Sequence, residues 1–90
     1  MPYRLSYHPE VKKDISRIPK NIKERICRAI ETRLMVDPVY YVDPLKKSLQ
    51  GFRKLRVGDY RVIYKIKTDD IVILKIGHRK EVYDKVFLRL

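Results

Sequence analysis

Acidic residues are scarce in this chain: 11 Asp and Glu stand against 22 Lys and Arg, a formal net charge of +11 on 90 residues. The bland reading is a well-hydrated surface, the sharper one a polyanionic partner, nucleic acid or an acidic protein. An anionic membrane surface fits less well, because no basic helix carries a broad aromatic and leucine face. Cysteine is present once, at Cys27, which excludes an intrachain disulfide. Its place in a helical apolar pattern predicts a buried structural thiol. No apolar run approaches the roughly 18 residues that a membrane span needs, and no charged-apolar-small leader pattern appears, so a cytoplasmic protein with no membrane partner is expected. Repeats, low-complexity tracts and Gly/Ser linkers are missing, and residues 1–90 read as one domain. No carboxylate cluster or Cys/His spacing suits a metal, and neither metal nor cofactor is expected.

The elements follow from periodicity and punctuation. Residues 2–7 alternate, with Tyr3, Leu5 and Tyr7 on one face, and predict a short strand. His8-Pro9-Glu10 opens a helix whose stripe is Val11, Ile15 and Ile18, interrupted at Pro19. Ile18, Ile22, Ile26, Ile30 and Leu34 recur every four residues and predict a second helix from Asn21 to Val36, stopped by Asp37-Pro38. The pair should form an antiparallel helical hairpin. Residues 37–51 read as a loop with one helical turn around Leu45–Leu49. Strands are expected at Phe52–Val57 and Tyr60–Ile66, joined by Gly58-Asp59, and at Ile71–Ile76, whose β-branched run suits a central position. Val82, Val86 and Phe87 stand at helical spacing, for a short helix or an ordered extension. The expected class is α+β, in the order β-α-α-β-β-β: an N-terminal strand and a helical hairpin packed on a small antiparallel-type sheet.

Strand alternation sorts the charges. Leu55 and Val57 share one face with Tyr60, Val62, Tyr64 and Ile66, and the reading adds Val72, Leu74 and Ile76 to this helix-covered set. The opposite face collects Lys54, Arg56, Arg61, Lys65, Lys75 and Arg79, together with Ile63, Ile71, Ile73 and Gly77. Solvent-facing strands often carry Lys and Arg as protection against edge pairing, but then Glu and Asp should be intermixed. Between Gly51 and Ile66 the only acid is Asp59, in the turn. Phosphate binding is the simplest functional reading, and the planar fork of Arg suits it. Tyr83 could be a packing residue or a platform for an unpaired base. His78 could be a structural hydrogen-bonding residue or a proton-transfer group.

Residues 3–9 (YRLSYHP), 49–64 (LQGFRKLRVGDYRVIY) and 77–83 (GHRKEVY), in this order, resemble the RelE toxins of the RelE/ParE superfamily. The resemblance implies a toxin of a type II toxin–antitoxin pair. In its RelE branch it implies a metal-independent endoribonuclease, a hydrolase that cuts mRNA in the ribosomal A site and inhibits translation. The cut uses the RNA 2′-hydroxyl and leaves a 2′,3′-cyclic phosphate and a 5′-hydroxyl. Lys54 matches a basic position of the family, Arg61 the residue that holds the scissile phosphate, Arg79 the basic residue near the leaving oxygen, and Tyr83 the ring that orients the nucleotide. Arg56 matches a further basic position. Phe52 stands where the prototype has its first Lys, with Arg53 beside it on the opposite parity.

Guanidinium keeps its proton, so Arg61 and Arg79 are expected to stabilise charge, Lys54 to act as base or stabiliser, and His78 to be the acid. Arg53, Arg56, Lys65 and Lys75 are read as RNA-binding. The partners so implied are ribosome, mRNA and an acidic RelB-like antitoxin, with operator DNA reached through the antitoxin complex. Two other readings stay open: a ParE-like toxin that poisons DNA gyrase without RNase activity, and a non-catalytic RNA-binding module.

Overall fold

Proline marks the start of the second helix. Pro19 lies immediately before the second helix in an extended conformation (φ −56°, ψ 146°), the geometry in which a fixed φ leads into a helix without needing an N–H. The computed structural model describes residues 3–36, 43–44, 52–84 and 86–89. Strand β1 (Arg4–Tyr7) leads into helix α1 (Val11–Ser16) and helix α2 (Lys20–Ala29). Helix α2 continues as a π-helical turn over Ile30–Leu34, closed by the Met35 N–H on Ile30 O at 2.9 Å. A two-residue strand β2 (Asp43–Pro44) precedes β3 (Phe52–Val57), β4 (Tyr60–Lys67) and β5 (Asp70–His78), and a 3₁₀ turn spans Val86–Arg89. The helical turn expected around Leu45–Leu49 lies outside the described residues.

The sheet order is β1-β5-β4-β3-β2. The meander β3-β4-β5 is antiparallel, with its first turn at Gly58-Asp59, where Gly58 has φ +60°. Strand β1 departs from the antiparallel expectation: it runs parallel to β5, Leu5 opposite Ile71 and Tyr7 opposite Ile73. Having crossed over through both helices, the chain returns along the meander with β5 pointing the same way as β1. The α+β class stands, and the sheet is mixed.

One irregularity changes the parity of β5. Ile63 pairs with Lys75 but Tyr64 pairs with Ile73, so Leu74 is an extra residue on β5, a β-bulge. Upstream of it every side chain of β5 swaps faces relative to an uninterrupted alternation. Ile71 and Ile73 therefore enter the helix-covered core with Ile26, Ile30, Leu34, Leu55, Val62, Tyr64 and Ile76. Val72 and Leu74, expected there, lie on the second face. That face has its own small core, in which buried Ile63 and Leu74 meet Val82 and Val86. Cys27 also departs from expectation: it is exposed, its Sγ 3.6 Å from Glu31 Oε1, because the α2 stripe buries Ile26 and Ile30 and turns position 27 outward.

Strand β1 covers β5 only as far as Ile73, whose carbonyl also accepts from the His8 N–H at 2.8 Å. Side chains complete the edge beyond. Asp14 Oδ2 of α1 accepts from the Ile76 N–H at 3.1 Å, and Arg89 Nη1 donates to Leu74 O at 3.1 Å. The two side chains form a forked pair, Nη1 to Oδ2 at 2.6 Å and Nη2 to Oδ1 at 3.0 Å, with only 12% and 11% of their surfaces exposed. These bonds hold the Arg89 proton more tightly than usual, outweighing partial burial. Among the described residues no helix is long and apolar enough to cross a membrane.

Candidate nucleic-acid interface

Pairing across the meander arranges the second face in three rows. Arg56, Arg61 and Gly77 form one, Lys54, Ile63 and Lys75 the next, and Phe52, Lys65 and Val72 the third. Arg56 and Arg61 stand directly opposite each other, a like-charge placement that works against the sheet and that an anion would relieve.

Arg61 is the single charged residue in the buried set among the described residues, at 8% exposure. Its Nη1 donates to Gly58 O and to Tyr60 O, both at 2.9 Å, which occupies two of the five N–H donors of a guanidinium and fixes the fork. Arg79 belongs to the same hairpin end. Its N–H donates to Asp59 O at 2.8 Å and its Nε lies 3.8 Å from Asp59 Oδ1, with the side chain still more than half exposed. The Gly58-Asp59 turn thus holds both arginines.

Tyr83 comes to this face by a different route. Residues after β5 fold back across the rows, and Val82 is wholly buried against Ile63 and Leu74. Val82 lies close over Gly77, where a Cβ would stand in ordinary contact with it at 3.6 Å. Tyr83 then covers Lys54, whose Nζ lies 5.8 Å from the ring centroid, a cation–π distance. Lys75 Nζ donates to Asp84 O one residue on.

The face therefore unites Lys54, Arg56, Arg61, Lys65, Lys75 and Tyr83, with Arg79 at its hairpin end. Two expected members stand elsewhere. Arg53 pairs with Tyr64, a residue of the helix-side core, and so belongs to the opposite face. His78 pairs with Tyr60 rather than with a second-face row. Its ring meets the Tyr60 ring edge-on at 5.6 Å, and its Nδ1 accepts from the Lys80 N–H at 3.2 Å. The bulge leaves this end of β5 in the alternation read from sequence, which already puts position 78 opposite to 77 and 79; nearness to Arg79 in the chain does not place His78 with the cations.

Two further cations, Arg25 of α2 and Arg33 of its π-helical turn, come to this hairpin without being marked in the sequence. Arg33 Nη1 donates to Arg56 O at 3.4 Å, and the Arg25 guanidinium stands beside Gly58, 3.5 Å from where a Cβ would lie. Their spacing marks them only as polar helix positions; what brings them here is the docking of α2 on β3.

The family model of the ParE toxin of type II toxin–antitoxin systems, parDE, matches residues 5–83. Toxin RelE of Mycobacterium tuberculosis is 30% identical over 86 residues, which cover 91% of this chain and 87% of that one. Toxin RelG of the same organism is 28% identical over 85 residues, covering 92% and 98%. The fold resembles a chain in the crystal structure of the toxin–antitoxin complex RelBE2 from Mycobacterium tuberculosis, with a TM-score of 0.80 at 27% identity, covering 88% of this chain and all (100%) of that one. The chain belongs to the RelE/ParE family of toxins of type II toxin–antitoxin systems.

Proposed function

We propose that this toxin is a ribosome-dependent mRNA endoribonuclease of the RelE kind, working in the cytoplasm and held inactive by an acidic antitoxin. The observation that carries the reading is a second face that holds Lys54, Arg56 and Arg61, with the Tyr83 ring over Lys54. A pair of opposed arginines suits one phosphate, and an aromatic ring beside it suits one unstacked base. The 2′-oxygen attacks phosphorus, the bond from phosphorus to the 5′-oxygen breaks, and a 2′,3′-cyclic phosphate and a 5′-hydroxyl result. Lys54 is the group placed to take the 2′-hydroxyl proton as base. Arg61 and Arg79 keep their protons and stabilise charge on the phosphate and on the leaving oxygen, which takes its proton from water. His78 drops out of this scheme because its ring is engaged on the Tyr60 side.

The antitoxin part of the reading is supported by a relative crystallised as a RelBE2 toxin–antitoxin complex. On this chain an apolar cleft of about 480 Å³ between α1 and α2, bordered by Val11, Ile15, Ile26, Cys27 and Tyr7, adjoins exposed Lys12 and half-buried Lys23. An acidic segment with an apolar stripe suits it. The match to the ParE model favours a second reading, in which gyrase is the target.

Primer extension on mRNA translated in a purified system separates the readings. A toxin-dependent stop at the codon in the A site, abolished by Arg61→Ala and Arg79→Ala, is expected. Intact mRNA with inhibited gyrase supports the ParE reading instead, and salt-sensitive RNA binding without any cut supports a binding module.

A further inference from the structure

The forked pair of Asp14 and Arg89 lies far from the cationic rows in sequence, and the nuclease scheme does not use it. Its position nevertheless bears on Tyr83. The segment that carries Tyr83 leaves the sheet at His78 and is held at Arg79 through Asp59, at Val82, at Asp84 through Lys75 Nζ, at Val86 and at Arg89. Tyr83 itself is half-buried against this small core, its carbonyl accepts from the Val86 N–H at 3.5 Å, and its ring meets the Lys54 cation at 5.8 Å, so the place of the ring over Lys54 depends on how the segment is seated. The last anchor is the strongest. It has two charge-assisted bonds to one carboxylate, a third bond from Arg89 to Leu74 O, and an outer contact to Glu10 Oε2 at 3.7 Å. Asp14 is in turn locked to the sheet by the Ile76 N–H.

We propose that Asp14 and Arg89 are positioning residues for Tyr83. Together they form a clasp between α1 and the 3₁₀ turn, and it presses residues 82–84 and the 3₁₀ turn onto the second face so that the ring stays over Lys54. The carboxylate and the guanidinium span the part of the β5 edge that β1 leaves uncovered. The register of the segment against the sheet is therefore set at one end by the Val82 N–H on His78 O, at 2.9 Å, and at the other by this pair. The consequence for catalysis rests on the nuclease reading; the consequence for the ring does not.

The test uses the full-length chain with ¹³C-labelled tyrosine and follows the ring signals by NMR, Tyr83 being assigned by its loss in Tyr83→Phe. Tyr64, wholly buried in the helix-side core, reports whether the fold persists. In Arg89→Ala the Tyr83 signals should shift while the Tyr64 signals hold. Arg89→Lys, which keeps the charge but not the fork, should give an intermediate shift, and it decides the matter if the alanine variant does not fold. Tyr83 signals unchanged from those of the unaltered chain in the folded variants overturn the proposal. With mRNA-programmed ribosomes, kcat should fall about tenfold in Arg89→Ala with KM little changed, as for a misplaced contact group. A displaced ring with unchanged kcat overturns the positioning role, whereas absence of cleavage by the unaltered chain overturns the nuclease reading alone.

Discussion

Lys54 Nζ lies 5.8 Å from the centroid of the Tyr83 ring, so a residue of the first meander strand and one beyond the last strand meet on one face. On the nuclease reading, the ring and the amine serve the base and the sugar of one nucleotide. Tyr83→Phe keeps the ring and should retain most activity, while Tyr83→Ala should lose roughly tenfold to a hundredfold, the value of one base–aromatic stack. Cleavage of ribosome-bound mRNA by the two variants checks this, and equal loss in both would shift the role to the hydroxyl.

Arg61 is expected to matter to the fold as well as to the site. It is the donor to Gly58 O and Tyr60 O from a nearly buried position. Arg61→Ala should cost about 1–3 kcal/mol, a fall in melting temperature of roughly 5–20 °C for a domain of this size. Arg56→Ala, at an exposed position across the same pair, should leave the melting temperature nearly unchanged or raise it by removing a like charge. Calorimetry on both variants distinguishes the two roles.

Gly58 adopts φ +60° at the turn that holds both Arg61 and Arg79. Gly58→Ala should destabilise by about 1–2 kcal/mol, the cost of a side chain in the left-handed region. Gly58→Asn should cost less, because Asn tolerates that region. Urea melts of the two variants give the comparison.

Partial burial, then the S–H bond to Glu31 and that residue's charge, push the Cys27 thiol up from its ordinary value. A raised value means less thiolate at a given pH, so Cys27 should react with iodoacetamide more slowly at pH 8 than a free cysteine does, despite being exposed. The rate should rise in Glu31→Gln. Folded-state protonation in excess of the unfolded state also means a stability contribution present below the unfolded value and lost as pH rises through the folded one. A rate equal to that of free cysteine in the unaltered chain contradicts the argument.

Much of the architecture was legible because local rules carried it. The four-residue repeat from Ile18 to Leu34 predicted the buried stripe of α2, and the alternation of Lys54-Leu55-Arg56-Val57 predicted which side of β3 is charged. Where β1 would pair was not legible, since alternation says how a strand faces and not which neighbour it joins. The bulge at Leu74 was equally silent, because Val72, Ile73 and Leu74 are all apolar and either parity looks the same.

The sequence by itself determined the charge imbalance, the meander, the helical hairpin and the parity that puts Lys54, Arg56 and Arg61 on one surface. Those are properties of neighbouring residues, set by strand and helix periods and by turn chemistry. Only the tertiary structure decided that Arg25 and Arg33 reach the hairpin and that Tyr83 comes over Lys54. Each of these depends on contacts between segments distant in the chain. The clasp of Asp14 and Arg89 is the extreme case, 75 positions apart: two ordinary surface-type residues whose pairing no local pattern announces.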